Sequence, residues 1–153
     1  MARKKTVTDT LKRKLVGTSP DSPAATSDIW TSNSNVSFIS LTLHWIETSP
    51  TAWTARSGTA ACEVFDGSHT GVRIGEKLMG MLKELGIAKT VTCMTTDTAA
   101  NMKNGVVEHM PGIEWLACAC HKAERIVQKF VGTPGLKKSV SAFSKVATHL
   151  HKS

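Results

Sequence analysis

The stretch Val36-Ser37-Phe38-Ile39-Ser40-Leu41-Thr42-Leu43-His44-Trp45-Ile46 decides the fold class, because apolar and polar residues alternate along most of its length. A two-residue period is typical of a β-strand that lays one face on a core. The apolar residues fall at 36 and 38 and then at 41, 43 and 45, with Ile39 at the change of phase. That slip indicates either a β-bulge or a strand buried on both faces.

Strand and helix signals flank this segment on both sides. A short strand runs through Ile29, and helical periodicity runs from Ile74 to Leu85, with Gly86 as a C-terminal stop. Further strands are predicted at 52–64, 90–95 and 114–118, and further helices at 101–110, 122–131 and 136–150. The order β-β-β-α-β-α-β-α predicts an α/β fold with a mixed five-stranded sheet and flanking helices. In that sheet the first and fourth strands can lie side by side.

Length and composition predict an intracellular, globular protein. The chain has 153 residues, of which 41% are hydrophobic and 20% charged, which is ordinary for one soluble domain. No apolar run approaches the roughly 20 residues that a membrane span needs, and no secretory signal is expected. The four cysteines are irregularly spaced, so we expect thiols rather than a disulfide framework.

The formal charge of +7 is concentrated near the two ends of the sequence. We predict that residues 1–25 form a flexible basic arm and that residues 26–153 form the domain. The basic residues of the arm are Arg3, Lys4, Lys5, Lys12, Arg13 and Lys14. A second basic stretch contains Lys137, Lys138, Lys145 and Lys152. Such clusters favour nucleic acid as a partner, and the first also suits a nuclear-import signal. The alternative is a solvated tail that aids solubility.

Two aspartates at strand ends are the candidate catalytic and metal-binding residues. Asp28 and Asp97 each adjoin a predicted strand and are followed by small polar residues. If the two strands are neighbours, the carboxylates meet, and carboxylate oxygens are the ligands that Mg²⁺ or Mn²⁺ prefers. The alternative for each aspartate is a helix cap or a turn former.

Four short motifs together resemble the hAT-superfamily DNA transposases, and in particular the BED-finger transposase-like proteins domesticated from them in animals. The motifs are Asp28–Ser32, Gly67–Gly71, Thr96–Met102 and Cys118-Ala119-Cys120-His121, in that order. The resemblance covers residues from about 26 to 153 and implies an RNase H-like catalytic domain.

The resemblance also implies roles for individual residues. Asp28 and Asp97 match the first two acids of the family's Asp-Asp-Glu triad, which would bind the metal. Cys118 and His121 match a Cys-x-x-His motif close to the active site. The remaining matched residues, Trp30 and Asn101, are expected to have a structural or positioning role.

The sequence also departs from the family pattern. The family's third acid, a glutamate, lies beyond a large helical insertion, and no equivalent is found up to Ser153. The family's C-terminal dimerisation region is missing, and no Cys pair precedes Cys62 to form a BED zinc finger. The cluster at 118–121 is half of a zinc site without a second pair, so zinc is not expected.

These departures leave three interpretations open. The first is a truncated, catalytically incomplete domain that retains affinity for DNA. The second is a metal-dependent DNA transposase fragment that another polypeptide, or self-association, completes. The third is an interaction module of the transcription-regulator type.

Overall fold

The computed structural model describes residues 23–151, without the side chains at 146, 147 and 149–151. It contains two compact units, of which the first ends at Ala117 and the second begins at Cys118. Residues 1–22 of the predicted basic arm at 1–25, with all six of its basic residues named above, lie outside the described residues, whereas Ala24 and Ala25 belong to a strand. No helix in the described part of the chain is both long and apolar enough to cross a membrane.

The first unit combines six strands with two helices, and the second consists of two helices. The strands are β1 (Ala24–Thr26), β2 (Ile29–Thr31), β3 (Ser37–Thr48), β4 (Trp53–Val64), β5 (Cys93–Thr96) and β6 (Glu114–Ala117). The helices are α1 (Gly71–Leu85), α2 (Ala100–His109), α3 (Ala119–Val131) and α4 (Pro134–His151). The predicted mixed α/β fold is therefore confirmed.

The strands form one sheet in the spatial order β4-β3-β1-β5-β6, with β2 also paired to β3. The β3 strand pairs antiparallel with β1, β2 and β4, whereas β5 pairs parallel with β1 and β6. The predicted neighbourhood of the first and fourth strands is confirmed, because Ala24 lies opposite Cys93 and Thr26 opposite Thr95.

The first predicted strand is divided into β1 and β2, so the sheet has six strands rather than five. Thr26 lies opposite Thr42 and Ile29 opposite Ile39. Both segments therefore keep one register on β3, and no extra residue is inserted between them. The division leaves Asp28 at a break in the strand without shifting it to the other face.

The change of phase in β3 agrees with the second predicted alternative, since apolar residues cover both faces of its first part. From Ile39 to Trp45, β3 alternates without interruption between buried and partly exposed residues. Phe38 lies on the opposite face and stacks on Trp30, with 5.7 Å between ring centroids. The register does shift between β3 and β4, but the extra residue is Ala60 in β4, because Leu41 pairs with Ala61 and Thr42 with Thr59.

The core lies on one face of the sheet, where α1 and α2 contribute buried residues. Thr70 caps α1 by accepting a hydrogen bond from the backbone N–H of Arg73, and Gly86 ends the helix in the left-handed conformation, with φ of 74°. The core residues include Ala25, Ile39, Leu41, Leu43, Ile74, Leu78, Leu82, Met94, Met102 and Val106.

The two helices approach each other closely at glycines. A Cβ atom added to Gly75 of α1 would overlap the carbonyl oxygen of Gly105 and lie 2.5 Å from the Cβ of His109. A Cβ on Gly105 of α2 would lie 3.0 Å from Cγ2 of Ile74. The two helices can approach this closely only because both residues lack a Cβ atom. This close approach determines where α2 packs relative to β5.

We predict that Gly75→Ala lowers the free energy of unfolding by about 1–3 kcal/mol, because overpacking outweighs the gain in helix propensity. Gly80→Ala in the same helix is the matched control, since an added Cβ there meets nothing within 4 Å. It should raise the stability by about 0.5–1 kcal/mol. Urea unfolding of both variants measures the difference, and equal stabilities would contradict the close approach.

Candidate functional site

The face of the sheet opposite the core carries the predicted acidic residues. Strand alternation assigns to this second face every residue that is out of phase with the buried positions Ala25, Leu41 and Met94. Hydroxyl-bearing and acidic residues predominate there, together with the stacked pair of Trp30 and Phe38. On the three central strands the second face comprises Thr26, Asp28, Trp30, Phe38, Ser40, Thr42, His44, Cys93, Thr95 and Asp97.

Asp28 and Asp97 follow the ends of the neighbouring parallel strands β1 and β5. Thr26 lies opposite Thr95, and the next ladder bond runs from the N–H of Ser27 to the carbonyl of Thr95 at 3.0 Å. Two residues further along each strand are the two aspartates. The described pairing ends at Thr26 and Thr95, so the two aspartates follow neighbouring strand ends, and adjacent strands lie about 4.8 Å apart.

The two aspartates differ in how they are held. Asp28 is exposed, and its backbone carbonyl accepts a hydrogen bond from the N–H of Ser40 at 3.0 Å. The Oδ1 atom of Asp97 accepts the N–H of Ala99 at 3.1 Å. Asp97 is therefore a turn former at the start of α2, as the alternative interpretation predicted. An ionised carboxylate has about four acceptor positions, so this bond leaves capacity for a metal ion.

Buried polar residues fix the strand ends behind the acids. Thr96 donates its hydroxyl to the carbonyl of Asp97 at 2.9 Å and accepts Nε1–H of Trp115 at 2.9 Å. Ser27 is also only 1% exposed, but its hydroxyl finds no partner among the residues that the structure describes.

Asn101 connects two of the sequence motifs. Its Nδ2 donates to the carbonyl of His69 at 2.9 Å, which ties the start of α2 to the loop before α1. This geometry is consistent with the positioning role expected of Asn101. The imidazole of His69 in turn stacks on Phe65, with 5.2 Å between ring centroids.

Sequence reasoning missed the residue that closes this loop. Arg73 donates to the backbone carbonyls of Ser68 and Asp66, at 2.6 Å each, and its guanidinium lies 5.3 Å from the ring centroid of Phe65. A cation in the first turn of a helix opposes the helix dipole. This unfavourable position near the helix N-terminus was the signal in the sequence that Arg73 makes a compensating contact.

Cys118 and His121 belong to the second unit. Cys118 is the N-cap residue of α3, without a side-chain capping bond. His121 Nδ1 lies 3.7 Å from Glu124 Oε2, one helical turn away. All four cysteines are free, and Cys120 is exposed. The geometry of α3 therefore pairs this histidine with a carboxylate.

The donor set of the aspartate pair suits a hard cation. Mg²⁺ is often held by one or two carboxylates, with water and substrate phosphate completing its octahedron. Asp28 and Asp97 match that requirement in number and chemistry. Among the described residues, however, no group of three or more His, Cys, Asp or Glu is placed to hold a metal ion.

The sheet order, with antiparallel β4, β3 and β1 followed by parallel β1, β5 and β6, is that of an RNase H-like fold. Residues 26–118 match the family model described as the ZBED1 RNase-like domain. That match covers more than half of the chain, so the protein belongs to this family.

Individual relatives are distant and much longer. The chain is 25% identical over 126 residues to the "Putative AC transposase" and the "Putative AC9 transposase" of Zea mays, covering 72% of this chain. It is 32% identical over 90 residues to the "Putative transcriptional regulator tpeD" of Talaromyces stipitatus, covering 57% of this chain. The aligned region spans 15% of the maize proteins and 10% of the fungal one.

We predict opposite effects for two buried hydroxyls. Ser27→Ala should raise the free energy of unfolding by about 1 kcal/mol, since it removes an unpaired polar group. Thr96→Val should lower it by about 1–3 kcal/mol, because Trp115 Nε1–H and the Asp97 carbonyl lose a partner. Thermal or urea unfolding compares the two. A destabilised Ser27→Ala variant would show that this hydroxyl makes a hydrogen bond in solution.

Proposed function

We propose that this chain is a transposase-derived nucleic-acid-binding domain that acts in the nucleus and does not cleave DNA on its own. Membership of the family supports a transposase origin. The relatives are named as transposases and as a transcriptional regulator, and both classes of protein act on DNA. The overall formal charge of +7 favours a polyanionic partner.

The observation that carries this proposal is the distribution of charge. Residues 23–117 contain six Lys or Arg and nine Asp or Glu, a formal charge of −3. Residues 118–153 contain seven Lys or Arg and one Glu, a formal charge of +6, and residues 1–22 contribute +4. We therefore assign the phosphate contacts to residues 1–22 and 118–153. The net negative charge of residues 23–117 opposes contact with a polyanion.

The proposed lack of cleavage follows from the acidic pair. Phosphate-ester hydrolysis has among the highest uncatalysed barriers, so a nuclease depends on metal ions fixed at both the attacking and the leaving oxygen. Asp28 and Asp97 provide two carboxylates, and one of the four oxygens already accepts a backbone bond. Two acids can hold a cation, but they leave much of its coordination shell to water and substrate.

One observation favours a second candidate, a metal-dependent DNA-cutting domain completed by another polypeptide. The parallel pairing of β1 with β5 supports it, because Asp28 and Asp97 follow the ends of these neighbouring strands. A bound Mg²⁺ or Mn²⁺ would activate a water molecule and stabilise the leaving oxygen. Asp28 and Asp97 would hold it, and Thr96 would position Asp97.

We predict that the full chain binds a short fluorescent DNA duplex and that the affinity falls steeply with salt. The logarithm of the association constant should decrease linearly with the logarithm of KCl concentration, with about −0.9 of slope for each phosphate neutralised. Fluorescence anisotropy measures this slope. Absence of binding at low salt, or binding independent of salt, would overturn the proposal.

We further predict that the chain nicks supercoiled plasmid in Mg²⁺ or Mn²⁺ no faster than the double variant Asp28→Asn, Asp97→Asn. The variant keeps the size of both side chains and removes both charges, so contaminating nucleases act equally in the two samples. Metal-dependent nicking that disappears in the variant would establish the second candidate instead. Such a result would concern cleavage only, and the prediction of salt-dependent DNA binding would still stand.

A further inference from the structure

The helices of the second unit carry the strongest positive charge in the described chain. Between Cys118 and His151 there are six Lys or Arg residues, and Glu124 is the single acidic residue. Three of these cations, Lys137, Lys138 and Lys145, lie on α4 and are exposed. The density of like charge on so short a segment is costly unless it serves an anionic partner.

A groove between α3 and α4 collects these cations with hydroxyl groups. One lobe, of about 640 Å³, lies between α3 and α4, and a second, of about 710 Å³, shares four lining residues with it and is lined by α4 and Gly132. Lys137, Lys145, Ser141 and Gly132 line both lobes. Neither lobe is lined by an acidic residue; its other lining residues are Gln128, Val131, Pro134, Lys138, Val140, Ala142, Ser144 and Thr148.

We infer that this α3–α4 groove binds the phosphate backbone of nucleic acid. Lysine ammonium groups and serine hydroxyls are donors that contact phosphate oxygens without reading sequence. Lys137 and Lys145 are eight residues apart, or about 12 Å along the helix axis. That separation exceeds the spacing of neighbouring phosphates, so each lysine neutralises a different one. The inference rests on the proposed nucleic-acid-binding function and gives it a location.

Anionic lipid is the competing occupant, since basic amphipathic helices also bind membrane surfaces. The apolar side chains that would insert into lipid, Ile126, Phe130 and Phe143, are 69%, 65% and 78% exposed. None of them lines the groove. The groove itself presents lysines and hydroxyls on one side of α4, which is the arrangement suited to a backbone of separate phosphates.

The test compares two double variants of the full chain. Lys137→Gln with Lys145→Gln removes two charges from the groove, and Lys83→Gln with Lys89→Gln removes two exposed charges from the first unit. Both are measured by anisotropy with the same fluorescent duplex over a series of KCl concentrations, after circular dichroism has verified folding. A third variant, Lys137→Arg with Lys145→Arg, retains the charge in the groove.

The groove variant should weaken binding about tenfold at low salt and make the log–log salt slope shallower by about 1.8, the loss of two phosphate contacts. The control and the arginine variant should keep the slope of the unaltered chain. If the groove variant keeps it as well, the groove assignment is overturned while the proposed function stands. If the unaltered chain does not bind, both fail.

A second experiment measures the binding of the same variants to vesicles that contain phosphatidylserine. Lipid binding that the groove variant loses, combined with unchanged DNA binding, would assign the groove to membranes and overturn the inference. Loss of DNA binding alone would support it.

Discussion

The parallel pairing of β1 with β5 is the constraint on which the rest of the structure depends. It connects segments that lie about 70 residues apart in sequence, and its register determines what occupies each face. Ser27 and Thr96 are buried toward the helices, and Asp28 and Asp97 consequently share the second face. Because the side-chain period of a strand is two, a slip of one residue would bury the carboxylates. Fold and candidate site are therefore specified together.

The uneven distribution of charge separates the residues proposed to bind nucleic acid from the two aspartates of the candidate metal site. Residues 23–117, with a formal charge of −3, gain nothing from contact with phosphate unless a divalent cation lies between them. Residues 118–153, at +6, carry the sign of charge that a polyanion such as the proposed nucleic-acid partner requires. The proposed affinity for nucleic acid and the candidate metal site thus depend on different residues, so a substitution can affect one without the other.

Sequence alone predicted the features that depend on local periodicity. The alternation in β3, the left-handed stop at Gly86 and the adjacency of the first and fourth strands were all accessible from residue patterns. The extra residue at Ala60 was not, since the sequence Thr59-Ala60-Ala61-Cys62 has no clear apolar–polar alternation in which a change of phase could be seen. The contact of Gly75 with Gly105 was equally hidden, because a glycine within a helix says nothing about which residue faces it.

The unequal anchoring of the two acids limits what the candidate site can do by itself. Asp97 is oriented by the N–H of Ala99 and by the buried hydroxyl of Thr96 behind it. Asp28 is exposed, and within residues 23–151 the structure describes no hydrogen bond to its carboxylate. A metal ion binding between them has to order the side chain of Asp28, at an entropic cost that preorganised sites avoid. A pair of which only one member is fixed favours loose ion binding over the tight geometry that phosphoryl transfer needs.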